Sequence, residues 1–147
     1  MYLDSLTELS NAQDVHAGSC ASTNSYNFGL RHNYDDGWNS HSAAPNPGQG
    51  EPMRVLFTVT TAFTGGTGTY LQVKLQDSAD DTTFADLSGG ATGQIPVASL
   101  VAGYQFELIV PDKCRQYMQA YYSMDAAFGA AAISADIVRD VQTNRVW

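Results

Sequence analysis

What most constrains this chain is a two-residue alternation of side chains that recurs along residues 54–141. Val55, Phe57, Val59 and Thr61 alternate with Leu56, Thr58 and Thr60, and Leu71, Val73 and Leu75 alternate with Gln72, Lys74 and Gln76. Tyr104, Phe106, Leu108 and Val110 interleave with Gln105, Glu107 and Ile109 before Pro111-Asp112 ends the run. Side chains spaced two apart share one face of a strand, so each run reads as a half-buried antiparallel strand. Arg115–Met124, rich in tyrosine, and Ala132–Val141, with Ile133, Ala135 and Ile137 inward, extend the series. The alanines make a helix over Ala126–Val138 the competing reading, but Gly129 and the alternation favour a strand. Thr64-Gly65-Gly66-Thr67-Gly68 reads as a hairpin loop, because glycine supplies the positive φ such loops need. Several strands with polar turns predict an all-β sandwich.

Residues 1–53 differ in character. Leu3, Leu6 and Leu9 recur every three residues, as one helical turn or an arm would, and Ser22–Gly29 reads as a short strand. Leu30–Pro52 is rich in Pro, Gly and Asn and forms a long loop without periodicity. The chain divides as one domain: arm, short strand and loop over 1–53, sandwich over 54–141, and a tail over 142–147.

At 147 residues the chain can bury a core without a metal or disulfide staple, and its 16 aromatic residues (8 Tyr, 6 Phe, 2 Trp) supply area. Only 15% of residues are charged and the net charge is −8, so there is no positive field to hold nucleic acid or anionic lipid. No apolar run is long enough to span a bilayer, and the N-terminus has neither the basic start nor the apolar stretch of a secretory leader. Cys20 and Cys114 are expected as reduced thiols, with a single bridge between them as the other reading.

Catalytic constellations are weak. His32 and His41, with Asp35 and Asp36 between them, lack the tight spacing of a zinc site and read better as a solvated or interface loop. Asp77, Asp80 and Asp81 lack the distal acid and central glycine of a calcium loop and read as turn chemistry. Gly65, Gly66 and Gly68 precede a strand, not the helix a phosphate cradle needs. No nucleophile elbow is present, and Cys20 has only His16 near it in sequence. The expectation is a protein that is not an enzyme and holds no cofactor or metal.

Several short blocks stand in a fixed order: Ser10–Val15, Ser22-Thr23-Asn24 with Phe28-Gly29, and Gly48–Pro52 leading into the next strand. Leu71–Ser78 followed by Phe84, Ala102–Phe106 through Pro111, Arg115-Gln116-Tyr117 and Tyr121-Tyr122 continue the order to the last strands. In this order the blocks resemble the Bbp16-like capsid cement proteins of tailed phages. Residues 30–47 depart from it, being longer than the family's usual link.

The resemblance implies a jelly-roll-like sandwich on the outer surface of the virion, made in the bacterial cytoplasm. There it would clamp neighbouring major capsid proteins of the HK97 fold, commonly as a homodimer. The alternative is a carbohydrate- or receptor-binding β-sandwich on the virion, its aromatics stacking on sugar rings. Expected capsid or dimer contacts are Leu3, Leu6, Leu9, His32, Tyr34, Trp38 and His41 in the arm and loop. Tyr117, Tyr121, Tyr122 and Trp147 complete the set. Aromatic anchors of this kind dominate interface energetics.

Overall fold

A computed structural model describes residues 6–28 and 52–138. Ten strands form among them: β1 (Glu8–Asp14), β2 (Cys20–Ala21), β3 (Tyr26–Asn27), β4 (Arg54–Thr64) and β5 (Tyr70–Ser78), then β6 (Ala85–Ala91), β7 (Ile95–Pro96), β8 (Gln105–Ile109), β9 (Tyr117–Met124) and β10 (Ala130–Val138). A 3-10 turn, Val97–Ser99, links β7 to β8. Sheet I runs β1-β10-β4-β8; in sheet II the order is β2-β9-β5-β6, with β3 also on β9 and β7 also on β5. Every pairing is antiparallel.

Taking β2 with β3, and β6 with β7, as single lanes leaves eight lanes with nested pairing. The first lane pairs with the last, the second with the seventh, the third with the sixth and the fourth with the fifth. That is a long hairpin rolled into two facing sheets, the jelly roll. Only the innermost pair is local, so nearly all the ladder joins residues far apart in sequence.

The alternating runs lie where their periodicity predicts. Val55, Phe57, Val59, Leu71, Val73 and Leu75 are fully buried between the sheets, joined by Ile133, Ala135 and Ile137 of β10. Ala130–Val138 is a strand, not a helix. β8 keeps its alternation, but Phe106 and Leu108 are only half-buried and Val110 is the buried member of that run. The reason is position: β8 is the edge of sheet I, so its side chains are covered from one flank only.

Three further expectations are corrected. First, residues 6–28 are not an irregular arm, since they contribute β1 to sheet I and β2 and β3 to sheet II. The sequence hid β1 because its ladder with β10 carries bulges and Ala12 takes a positive φ of 43°, breaking the two-residue period. Leu9 is therefore a core residue, 0% exposed, rather than a contact on an arm. Second, Thr64–Gly68 is not a hairpin loop: β4 lies in sheet I and β5 in sheet II, so the segment crosses between sheets. Its glycines are needed for close approach, because a Cβ on Gly66 would sit 2.3 Å from the Ala127 carbonyl oxygen and one on Gly68 within 2.7 Å of the Phe128 ring. Third, β6 is a strand that its sequence does not announce; exposed along most of its length and containing Gly89 and Gly90, it shows no alternation. Leu87 on β6 packs against the core, while Phe84 just before it is half-buried.

The thiols are separate. Cys20 is opposite Tyr122 in β9, whereas Cys114 lies ahead of that strand's start at Tyr117. Both are free.

Candidate functional site

The sandwich offers two outer faces of different chemistry. On sheet I, Glu8 is opposite Asp136, Asp136 opposite Leu56, and Leu56 opposite Glu107, one row across all four strands. Glu107 is held by the Arg54 guanidinium. Burial, then the nearby Glu8 charge, pushes the Asp136 carboxyl above the usual carboxylate range. Beside this acidic row Ile109 is 52% exposed.

The outer face of sheet II is close to neutral. Because Met118, Ala120 and Tyr122 point into the core, Tyr117, Gln119, Tyr121 and Ser123 form the outward lane of β9. The matching lane of β5 is Tyr70, Gln72, Lys74 and Gln76, outward because Leu71, Val73 and Leu75 are inward. Register sets Tyr121 against Lys74, Gln119 against Gln76 and Ser123 against Gln72. Gln119 Nε2 donates to Gln76 Oε1 at 2.9 Å, and Gln76 Nε2 donates to Asp86 Oδ1 at 2.8 Å. Lys74 Nζ donates to Asp86 Oδ2 at 2.8 Å. Gln76 and Lys74 together hold the Asp86 carboxyl below its ordinary range, and the bond to Asp86 raises the Lys74 ammonium. The Lys74 ammonium is thus paired with the Asp86 carboxylate of neighbouring β6, and the Gln119 and Gln76 amides are chained to the same carboxylate.

This lattice is anchored from below and at its end. Tyr122 is buried with its hydroxyl 2.8 Å from Ser10 Oγ, tying sheet II to β1 through the core, and burial drives its phenol well above the ordinary range. At the start of β9, Arg115 Nε and Nη2 donate to Asp77 Oδ1 at 3.0 and 2.8 Å, and the Arg115 backbone N–H donates to Oδ2 at 2.9 Å. Burial works to raise the Asp77 carboxyl, but these donors outweigh it and the group lies below its usual range. The pair clamps the β8–β9 connection to the end of β5.

Of the expected contact residues, the structure brings Tyr117 and Tyr121 together on one face, with Gln119 between them. It removes Tyr122, which is 0% exposed in the core and opposite in parity to Tyr121. Leu6 is 70% exposed ahead of β1. Leu3, His32, Tyr34, Trp38, His41 and Trp147 lie outside the described residues. Sequence reading missed Gln72, Gln76, Gln119 and Asp86 as members of the face. The polar halves of the two alternating runs were the available signal, but only strand pairing shows that they adjoin.

Reactive chemistry is sparse among the described residues. His16 Nδ1 lies 2.5 Å from Asp14 Oδ1 in an exposed pair, and that bond holds the Asp14 carboxyl low. Burial pushes the Cys114 thiol up to about 12 and raises Cys20 as well, so neither is a ready nucleophile. Asp80 accepts from the Thr82 and Thr83 backbone N–H groups and from Ser78 Oγ, a self-contained turn. No group of three His, Cys, Asp or Glu is gathered for a metal ion among these residues. Nor is any described helix long and apolar enough to cross a membrane.

Compared with known proteins, residues 9–138 match the family model described as Bbp16. No curated protein matches the chain.

Proposed function

The chain belongs to the Bbp16 family, and from that membership we propose that it is a structural cement protein of a tailed phage. It binds the outside of an HK97-fold head as a homodimer and clamps adjacent major capsid proteins against internal DNA pressure. The observation that carries this reading is the family match across the whole described sandwich, from β1 to the end of β10. The chemistry is consistent with it: the polar groups on the sheet II face are spent on one another, building a rigid surface instead of a reactive site. Low charge at the centre of a face, with tyrosine on it, is the composition of protein interfaces.

Mixing the purified protein with empty HK97-fold heads of its own phage and sedimenting them tests the reading. Stoichiometric co-sedimentation, with a rise in the temperature at which filled heads release DNA, is expected. Heads that sediment bare would refute it. Tyr70, Tyr117 and Tyr121 on one sheet face favour a second reading, a carbohydrate-binding sandwich on the virion; binding to a glycan array without binding to heads would select it.

A further inference from the structure

We propose that the outer face of sheet I is a docking surface for a cationic side chain of a protein partner, an arginine whose guanidinium is received between Glu8 and Asp136. The proposal rests on the cement reading only for who supplies that arginine, the major capsid protein; the site itself is argued from this chain.

The observation that carries it is Asp136. Ile133, Ala135 and Ile137 point into the sandwich, so Asp136 points outward, between Glu8 on β1 and Leu56 on β4. It is only 9% exposed, yet its carboxylate has no hydrogen-bond or ion-pair partner. No side-chain oxygen of the described residues is both sealed and without a partner, so the Asp136 oxygens still reach the surface. Buried acids are almost always paired. This one instead faces a second acid, and like charges directly opposite on a ladder repel.

The cations of the described residues do not serve it. Arg54 is held by Glu107, Lys74 by Asp86 and Arg115 by Asp77, while Lys113 lies in the β8–β9 connection. The next outward row is satisfied within itself: the Ala12 N–H donates to Ser134 Oγ at 2.8 Å, and Gln105 Nε2 donates to Thr58 Oγ1 at 3.1 Å. The face is therefore asymmetric. Its β4–β8 side is neutralised by Arg54, and its β1–β10 side keeps two acids without a counter-charge.

That asymmetry defines the ligand. Opposed side chains on a ladder have Cβ atoms about 4.5–5.5 Å apart, a gap that one planar guanidinium with its several N–H donors can bridge. Arginine suits it better than lysine, because its head is more weakly hydrated and its fork serves two carboxylates at once. A metal ion suits it less, since no group of three ligating side chains is gathered among the described residues. Ile109, 52% exposed on the same face, gives the chain that carries the arginine an apolar contact.

Asp136→Asn tests this, because the site predicts opposite effects on folding and on binding. The charged groups that face Asp136 are Glu8 from β1 and, beyond Leu56, Glu107 with Arg54 from β8 and β4. Burial and Glu8 raise its folded carboxyl above the unfolded value, so the ionised group opposes folding at pH 7; that cost is gone below the unfolded value. The variant should melt at or above the wild-type temperature at pH 7, with any gain closing by pH 3, while its affinity for empty heads falls at least tenfold. In the isolated full chain, an acetylated and amidated Gly-Arg-Gly tripeptide at millimolar concentration should shift the amide resonances of Glu8, Asp136 and Val138 and leave that of Gln119 in place. The same peptide with citrulline for arginine should shift none of them, nor should calcium chloride. Undiminished head binding by Asp136→Asn, a lower melting temperature at pH 7, or shifts indifferent to the citrulline exchange would each overturn the proposal. Shifts with calcium and none with arginine would overturn it in favour of a metal site. Heads that wild type leaves bare would refute the cement reading and not the site, which the tripeptide then decides alone.

Discussion

Phe57 and Phe106 form a stacked pair on the same face of sheet I, with ring centroids 5.0 Å apart and planes 12° from parallel. Their pattern in sequence makes them equivalent, but their places in the sheet do not. Phe57 is on β4, flanked by β10 and β8, and is 0% exposed. Truncation to alanine there removes a whole buried ring and leaves a cavity, a loss of about 3–5 kcal/mol. Phe106 is on edge strand β8 and half-buried, so Phe106→Ala forfeits about half as much burial, roughly 1.5–2.5 kcal/mol. Stacked rings contribute about 0.5–1.5 kcal/mol beyond their area, and the double variant should fall short of the sum by that amount. Urea unfolding followed by tyrosine fluorescence and far-ultraviolet circular dichroism, with coincident transitions, would give all three values. A Phe106→Ala cost equal to or above that of Phe57→Ala would refute the edge position of β8. Additivity to within about 0.3 kcal/mol would refute the stacking.

Arg115→Ala should lower the urea midpoint at pH 7, because Asp77 is left buried with fewer donors; the folded Asp77 carboxyl lies below its unfolded value, so this stabilisation is present above about pH 4 and fades as pH falls through the folded pKa. The gap to wild type should therefore narrow at pH 2.5, and an unchanged gap would contradict the assignment. Tyr122→Phe removes one buried hydroxyl bonded to Ser10 and should cost about 1 kcal/mol by thermal melting, well short of the loss on Tyr122→Ala. Gly66→Ala combines a positive φ of 71° with a Cβ driven into the Ala127 carbonyl and should cost more than about 2 kcal/mol, whereas Gly93→Ala, with nothing within 4 Å, should be near neutral. Both thiols should alkylate slowly at pH 8 in the folded protein and rapidly in urea; fast native labelling of Cys114 would conflict with its raised pKa of about 12.

What the sequence determined by itself is the part of the structure that is local. The pleat puts alternate side chains on opposite faces whatever the strand's neighbours, so Val55, Phe57, Val59, Leu71, Val73 and Leu75 could be assigned to a core directly. An all-β sandwich follows from those runs. Partner choice is another matter. It depends on which faces bury one another across the molecule, and in a jelly roll nearly every pairing is distant: β1 with β10, β4 with β8, β5 with β9. Hence Thr64–Gly68 resembled a hairpin loop although it leads from one sheet to the other, and Leu9 resembled an arm residue although β10 draws it inside. Phe106 and Phe57 share a pattern, yet only sheet order tells edge from centre. Tyr121 and Tyr122 are neighbours in the chain, but the register of β9 on β5 turns one to the outer lattice and the other to the core. The neutral Tyr-Gln face exists only because pairing brings Gln119 to Gln76 and Asp86 to Lys74, contacts between residues whose separation in sequence carries no sign of them.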